Sequence, residues 1–118
     1  MHISELAAAT GTTPRLLRYY EKCGLLSPAR TSGGYRTYDS SDIPQVRKIR
    51  ALLTAGFGTS AIATLLPCLE IEDAQLTATC LDMATHLRAQ HAELTATIEA
   101  LDRNRHAVTD LLRTVPLR

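Results

Sequence analysis

The 118-residue sequence predicts a mainly helical chain with one small β-hairpin, and three observations predict it. Two short helical stretches lie back to back between Ile3 and Lys22, parted only by a turn at Gly11. A Gly33-Gly34 pair sits within a basic, tyrosine-bearing stretch that follows them. From Cys80 to Val115, residues recur at alternating steps of four and three, and ten consecutive steps hold that register.

The first helix is read over Ile3-Ser4-Glu5-Leu6-Ala7-Ala8-Ala9-Thr10 and closes at Gly11. A second opens at once from Thr12 to Lys22, which is the spacing of a helix-turn-helix. Leu25-Leu26-Ser27-Pro28 leads into Arg30 to Tyr38, where the Gly-Gly pair lets two short strands fold back on each other. Asp39-Ser40-Ser41-Asp42 is a cluster of good N-cap residues, and Pro44 falls in the first turn, where proline is tolerated. Ile43, Val46, Ile49, Leu52 and Leu53 then keep helical spacing up to Gly56. After a break at Phe57-Gly58, Thr59 or Ser60 caps a further helix bearing Ile62, Leu65 and Leu66, which Pro67 ends. Cys68 to Ala74, with Glu70, Glu72 and Asp73, reads as an acidic connector.

The remainder reads as one long helix. Its 4-3 series is Cys80, Ala84, Leu87, His91, Leu94, Ile98, Leu101, Arg105, Val108, Leu112 and Val115. This is the narrow seam of a coiled coil, and a lone helix of this kind has nothing to cover its seam except a second copy. Burying each leucine or isoleucine contributes about 1.5–3 kcal/mol, enough in sum to hold a homodimer despite the polar intruders. His91 and Arg105 stand equidistant from Ile98, so in an antiparallel pair each faces the other across the seam and helps to set register. The expected organisation is residues 1–67 as one domain, 68–75 as a connector and 76–118 as the dimerisation helix.

The chain is long enough for one globular domain and an extended element but not for two independent cores. Its net charge of +1 hides an asymmetry: residues 1–50 hold eight Lys/Arg against four acids, and residues 51–118 hold five against eight. The basic half is the expected nucleic-acid face. No apolar run approaches the roughly 20 residues that cross a bilayer, and no signal peptide is legible, so the chain is expected in the cytoplasm without membrane contact. Paired carboxylates, a phosphate loop and a nucleophile–base set are all missing at usable spacing, which argues against an enzyme.

Arg15 and Arg18, three apart, share a face of the second helix with Thr13 at its start and Tyr19 alongside. Arginine's planar fork takes guanine edges or phosphate oxygens bidentately, while threonine and tyrosine hydroxyls suit phosphates. In the hairpin Tyr35 and Tyr38 bracket Arg36, with Arg30 on the opposite strand. Tyr38 is read equally as a packing residue.

Leu16-Leu17-Arg18-Tyr19-Tyr20-Glu21, Gly24-Leu25-Leu26, Gly34-Tyr35-Arg36-Thr37-Tyr38 and Ala55-Gly56-Phe57-Gly58-Thr59 occur here in an order and spacing that resemble the MerR family of bacterial transcription regulators. The likeness runs from residue 2 to about residue 66, and the terminal helix is similar to the family's antiparallel coiled-coil dimerisation helix. It implies a winged helix-turn-helix dimer on an inverted-repeat promoter site, bending and untwisting DNA so that RNA polymerase, an indirect partner, can use an over-long spacer. Carried over by position, DNA contacts fall on Thr13, Arg15, Arg18, Tyr19, Tyr35, Arg36, Tyr38 and Thr59, and dimerisation on Leu87, His91, Leu94, Ile98, Leu101, Arg105, Val108 and Leu112. It also implies a short form without a C-terminal effector domain, or the DNA-binding part of a longer regulator; no effector is legible.

Three widely spaced cysteines do not form a secreted disulfide framework, and in a reducing cytosol they are thiols by default. Cys80 stands where the family's mercury and zinc sensors place a ligand cysteine, but no cysteine or histidine follows His106 to complete such a site. No cofactor is expected. The alternatives are a metal ion held by Cys68 and Cys80 with a histidine such as His86, a disulfide between them that switches the connector, and simple packing in the seam. Cys23 reads as incidental. The readings left open beside a MerR-type regulator are therefore a metal- or redox-responsive form of it and an architectural DNA-bending protein of the excisionase kind.

Overall fold

The computed structural model describes residues 1–72 and 75–116, and its described chain divides into two units, Met1–Cys80 and Leu81 onward. In the first unit, α1 (Ile3–Thr10) and α2 (Pro14–Lys22) precede a two-stranded antiparallel wing, β1 (Ala29–Arg30) and β2 (Arg36–Thr37). Then come α3 (Asp42–Thr54), α4 (Thr59–Leu65), a 3₁₀ turn (Leu66–Cys68) and a second hairpin, β3 (Leu69–Glu72) with β4 (Gln75–Ala78). The second unit is α5 (Leu81–Leu112). Among the described residues no helix is long and apolar enough to cross a membrane.

The core of the first unit forms because each helix turns one apolar stripe inward: Leu6 from α1, Leu17 and Tyr20 from α2, Val46, Ile49 and Leu52 from α3, and Ile62 and Leu65 from α4. All are nearly or fully withdrawn from solvent, and among the described residues no polar or charged residue is buried with them. The α1–α2 turn is set by Gly11, at φ 66°, a conformation in which a Cβ crowds the next carbonyl. Thr12 N–H then donates to Ala7 O at 3.0 Å, and Arg50 of α3 donates to Gly11 O at 3.4 Å, tying the turn to the core. At the head of α3, Asp39 accepts from the backbone N–H and the hydroxyl of Ser41, which holds its carboxyl below the usual carboxylate range.

Four expectations are corrected. The acidic connector expected at 68–75 is a hairpin where it is described, with Leu69 opposite Ala78 and Ile71 opposite Leu76, while residues 73 and 74 lie outside the described residues. Its apolar residues alternate with its acids, and Leu69 buries itself as β3 lies against α3. The long helix begins at Leu81 rather than 76, and Cys80 precedes it instead of opening its seam. Cys68 and Cys80 are not thiols but a disulfide; Cys23 alone is free. At the cap of α4, Gly58 holds the N-cap position, with Thr59 as the first helical residue.

Replacing Gly11 with alanine finds open space but a strained backbone, so the cost is the left-handed penalty alone, about 1–2 kcal/mol. The expected outcome in a thermal melt followed by circular dichroism is a midpoint lowered by roughly 4–8 °C per kcal/mol. An unchanged midpoint would show that the turn relaxes freely.

Candidate nucleic-acid interface

Helix α2 is strongly two-faced. Its N-cap Thr13 accepts a hydrogen bond from Leu16 N–H at 3.2 Å, and Pro14 occupies the first turn, so the helix starts sharply at the end of the Gly11 turn. Leu17 and Tyr20 anchor one side in the core, which turns Thr13, Arg15, Arg18 and Tyr19 out to solvent together. Neither Arg15 nor Arg18 takes part in an ion pair among the described residues. The Tyr19 phenol is pushed above its ordinary pKa, first by a hydrogen bond with the Cys23 side chain, and so stays a neutral donor.

The wing is small and is held from outside. Thr31 organises its tip: its N–H donates to Tyr35 O at 2.8 Å, its carbonyl accepts from Gly34 N–H at 2.9 Å, and its hydroxyl accepts from Tyr35 N–H at 3.2 Å. Gly34 sits at φ 83°, the left-handed position that the turn needs. Arg30 and Arg36 are directly opposite in the ladder, a like-charge pairing that is unfavourable on its own. Glu21, from the last turn of α2, resolves it by taking Arg36 Nε on one oxygen at 2.5 Å and an Arg30 terminal nitrogen on the other at 3.1 Å. This carboxylate raises the Arg36 pKa further above its already high ordinary value.

The structure therefore separates the expected DNA-contacting residues into groups. Thr13, Arg15, Arg18, Tyr19 and Tyr35 are exposed, and Tyr35 is the most open of them. Arg36 is half-buried and already ion-paired, not the free cation its sequence context implies. Of the two readings of Tyr38, DNA contact and packing, the structure favours packing, because it is 3% exposed and belongs to the core. Its backbone pairs with the first residue, Tyr38 N–H to Met1 O at 2.9 Å and the Met1 ammonium to Tyr38 O at 2.5 Å. Thr59 is half-buried at the head of α4, a separate element from α2 and the wing. Glu21 ends the Leu16–Glu21 string, but its role is not legible from local pattern, because its partners lie 9 and 15 residues further on.

On α5, Leu87, Leu94, Ile98, Leu101, Val108 and Leu112 are all exposed, together with His91 and Arg105, and Leu111, which the 4-3 series omits, is exposed as well. Arg105 pairs within its own helix with Asp102 at 2.5 Å. Met83 is the buried residue of α5 among those described, and it too lies off the series. No group of three or more His, Cys, Asp or Glu able to hold a metal occurs among the described residues.

The Tyr38 hydroxyl is buried without a hydrogen-bond partner, and its pKa is raised by burial first and by the Glu21 charge next. An unpaired buried hydroxyl costs about 1–3 kcal/mol, so Tyr38→Phe is expected to melt no lower than the parent at neutral pH. Because the folded pKa exceeds the unfolded value near 10, the unfolded chain releases this proton first, and stability falls as pH rises from about 10 towards the folded pKa. Melts from pH 8 to 11 check this, and Tyr38→Phe should lose less than the parent over the alkaline half of the range.

The family described as "MerR HTH family regulatory protein" matches residues 1–68. A helix-turn-helix-type transcriptional regulator of Pseudomonas aeruginosa is 37% identical over 114 residues, covering 95% of this chain and 83% of that protein. The nodulation protein NolA of a Bradyrhizobium strain is 38% identical over 109 residues, 92% of this chain. That match covers only 43% of NolA, so the chain spans less than half the length of this relative. Among solved structures, the transcription regulator PbrR691 of Ralstonia metallidurans, crystallised in complex with lead(II), aligns with a TM-score of 0.81 at 25% identity, covering 100% of this chain and 89% of that one.

Proposed function

The chain belongs to the MerR family of helix-turn-helix transcriptional regulators, and on that premise we propose that it binds an inverted-repeat promoter site as a homodimer and acts by distorting the DNA between the half-sites. The observation that carries the reading is the exposed Thr13, Arg15, Arg18 and Tyr19 face of α2, free of ion pairs among the described residues and flanked by a basic wing. An α-helix enters the major groove of B-DNA, where arginine reads guanine or grips phosphate. Tyr35 at the open tip of the wing then extends the contact along the backbone, and the wing is kept at the end of α2 by Glu21.

The dimer reading is supported by α5. Its 32 residues run for about 48 Å at the helical rise of 1.5 Å per residue, and an apolar row of that length is costly to leave in water. A second copy laid antiparallel covers it and supplies the second half-site, so that the two recognition helices engage one duplex and each holds the other in place. RNA polymerase is then affected through the shape of the promoter rather than by chemistry on this chain.

Two experiments test this reading. With duplexes selected from a random pool, Arg18→Ala should either flatten the salt dependence of binding by about 0.9 in logarithmic slope per half-site, if the side chain holds a phosphate, or lose roughly 1–3 kcal/mol of discrimination at one base pair per half-site. Arg36→Ala should change the slope less than a phosphate-bound Arg18 would, because Glu21 already shares that charge. Binding by Arg18→Ala that keeps both slope and discrimination would remove α2 from the interface. For the dimer, Leu94→Asp or Leu101→Asp places a charge in the seam and should yield monomers at micromolar concentration by light scattering, with weakened operator binding. Persisting dimers would mean that α5 is not the interface.

A further inference from the structure

The Cys68–Cys80 disulfide is the one covalent cross-link among the described residues, and nothing in the helix-turn-helix reading uses it. It lies at the open end of the β3–β4 hairpin, just beyond the ladder pair Leu69–Ala78, with a Cα–Cα separation of 5.1 Å. The polypeptide is already registered there: Thr79 donates to Cys68 O from its backbone N–H at 2.8 Å and from its hydroxyl at 3.1 Å. The hairpin thus brings both sulfurs to one place by backbone pairing, which makes closing the bond an encounter between neighbours. Both cysteines are half-buried and within reach of a small solute.

Around this bond the packing is unequal. Leu66 and Leu69 are buried, whereas Leu76 on the returning strand is exposed, so β3 is anchored in the DNA-binding unit and β4 has little apolar anchoring of its own. A two-stranded hairpin of four-residue strands is marginal in water. The disulfide fastens the end of the weakly anchored strand to the 3₁₀ turn that ends the helical core, and the next residue, Leu81, is the first of α5. Opening the bond frees the strand that leads directly into that helix.

We propose that Cys68 and Cys80 are a reversible redox site, charged by thiol–disulfide exchange with a low-molecular-weight disulfide, which locks the β3–β4 hairpin and thereby sets the promoter response. The inference deepens the regulator reading above and rests on it. In the forward step one cysteine thiolate attacks a sulfur of the small disulfide, expelling one thiol and leaving a mixed disulfide. The second thiolate then attacks the protein sulfur and expels the other thiol. Two electrons pass from the protein dithiol to the small disulfide, and the two cysteine protons end on the two released thiols. Excess small thiol runs the same steps backwards. Cys23 sits at the end of α2, apart in sequence from this pair, and takes no part.

The test uses the full chain equilibrated with mixtures of reduced and oxidised glutathione, quenched with acid and alkylated, and read by mass spectrometry. The expected result is that Cys68 and Cys80 lose their alkylation together at a single midpoint while Cys23 stays alkylated. Cys68→Ser and Cys80→Ser should instead each stop at a mixed disulfide carrying one glutathione. A bond that persists in pure reduced glutathione, or never forms in the oxidised form, overturns the proposal. Run-off transcription from a promoter carrying the selected duplex should differ several-fold between the two redox states. The Cys68→Ser/Cys80→Ser double variant should keep duplex affinity and hold one output in both. Equal output from the parent in both states overturns the regulatory step. If no duplex is bound in either state the regulator reading fails, which is distinguishable because the glutathione titration reads the site without DNA.

Discussion

One carboxylate decides whether this protein has a usable wing. Arg30 and Arg36 are neighbours across a ladder only two residues long, and without a counter-charge they push its strands apart. Glu21 is placed by the last turn of α2, whose other side is anchored by Leu17 and Tyr20 in the core, so its position is inherited from the best-packed part of the molecule. Through two hydrogen bonds it carries that order outward to a hairpin with almost no apolar surface of its own. Charge-assisted bonds to a carboxylate are stronger than neutral ones, and here they join the element that reads to the element that flanks.

The same arrangement divides the basic residues by availability. Arg15 and Arg18 stand in solvent with no ion pair among the described residues, whereas Arg30 and Arg36 share the Glu21 carboxylate. This face therefore presents two exposed guanidinium groups on a helix and two that share a carboxylate beside it. Tyr38 contributes from beneath: it is buried, and its backbone is pinned to Met1, which ties the far end of β2 to the start of α1.

The second unit is organised by the opposite constraint, apolar surface with nothing yet to cover it. Leu94, Ile98 and Leu101 are 47–66% exposed along the middle of α5, in a chain whose first unit buries its aliphatic residues efficiently. The first unit ends in a hairpin closed by a disulfide, and α5 begins at the next residue.

The helices were legible because their signals are local. Gly11 with Pro14 marks the turn between α1 and α2, the spacing of Val46, Ile49 and Leu52 marks the buried face of α3, and the 4-3 series marks a long helix. The exposed face of α2 was legible too, since residues three apart on a helix must share a side. The β3–β4 hairpin was not, because five charged and polar residues between Glu70 and Thr77 mask the alternation of Leu69 and Ile71 with Leu76, and four-residue strands carry little periodic signal. Nor were the pairings that span the fold. Whether Tyr38 faces DNA or core, whether Arg36 is free or held by Glu21, and whether Cys68 meets Cys80 all depend on which segments pack together. The sequence by itself determined which stretches are helical and which charges they display. Tertiary structure alone decided which of those charges are spent internally and which sulfurs meet, because contacts between residues distant in the chain arise only once the core has brought their backbones together.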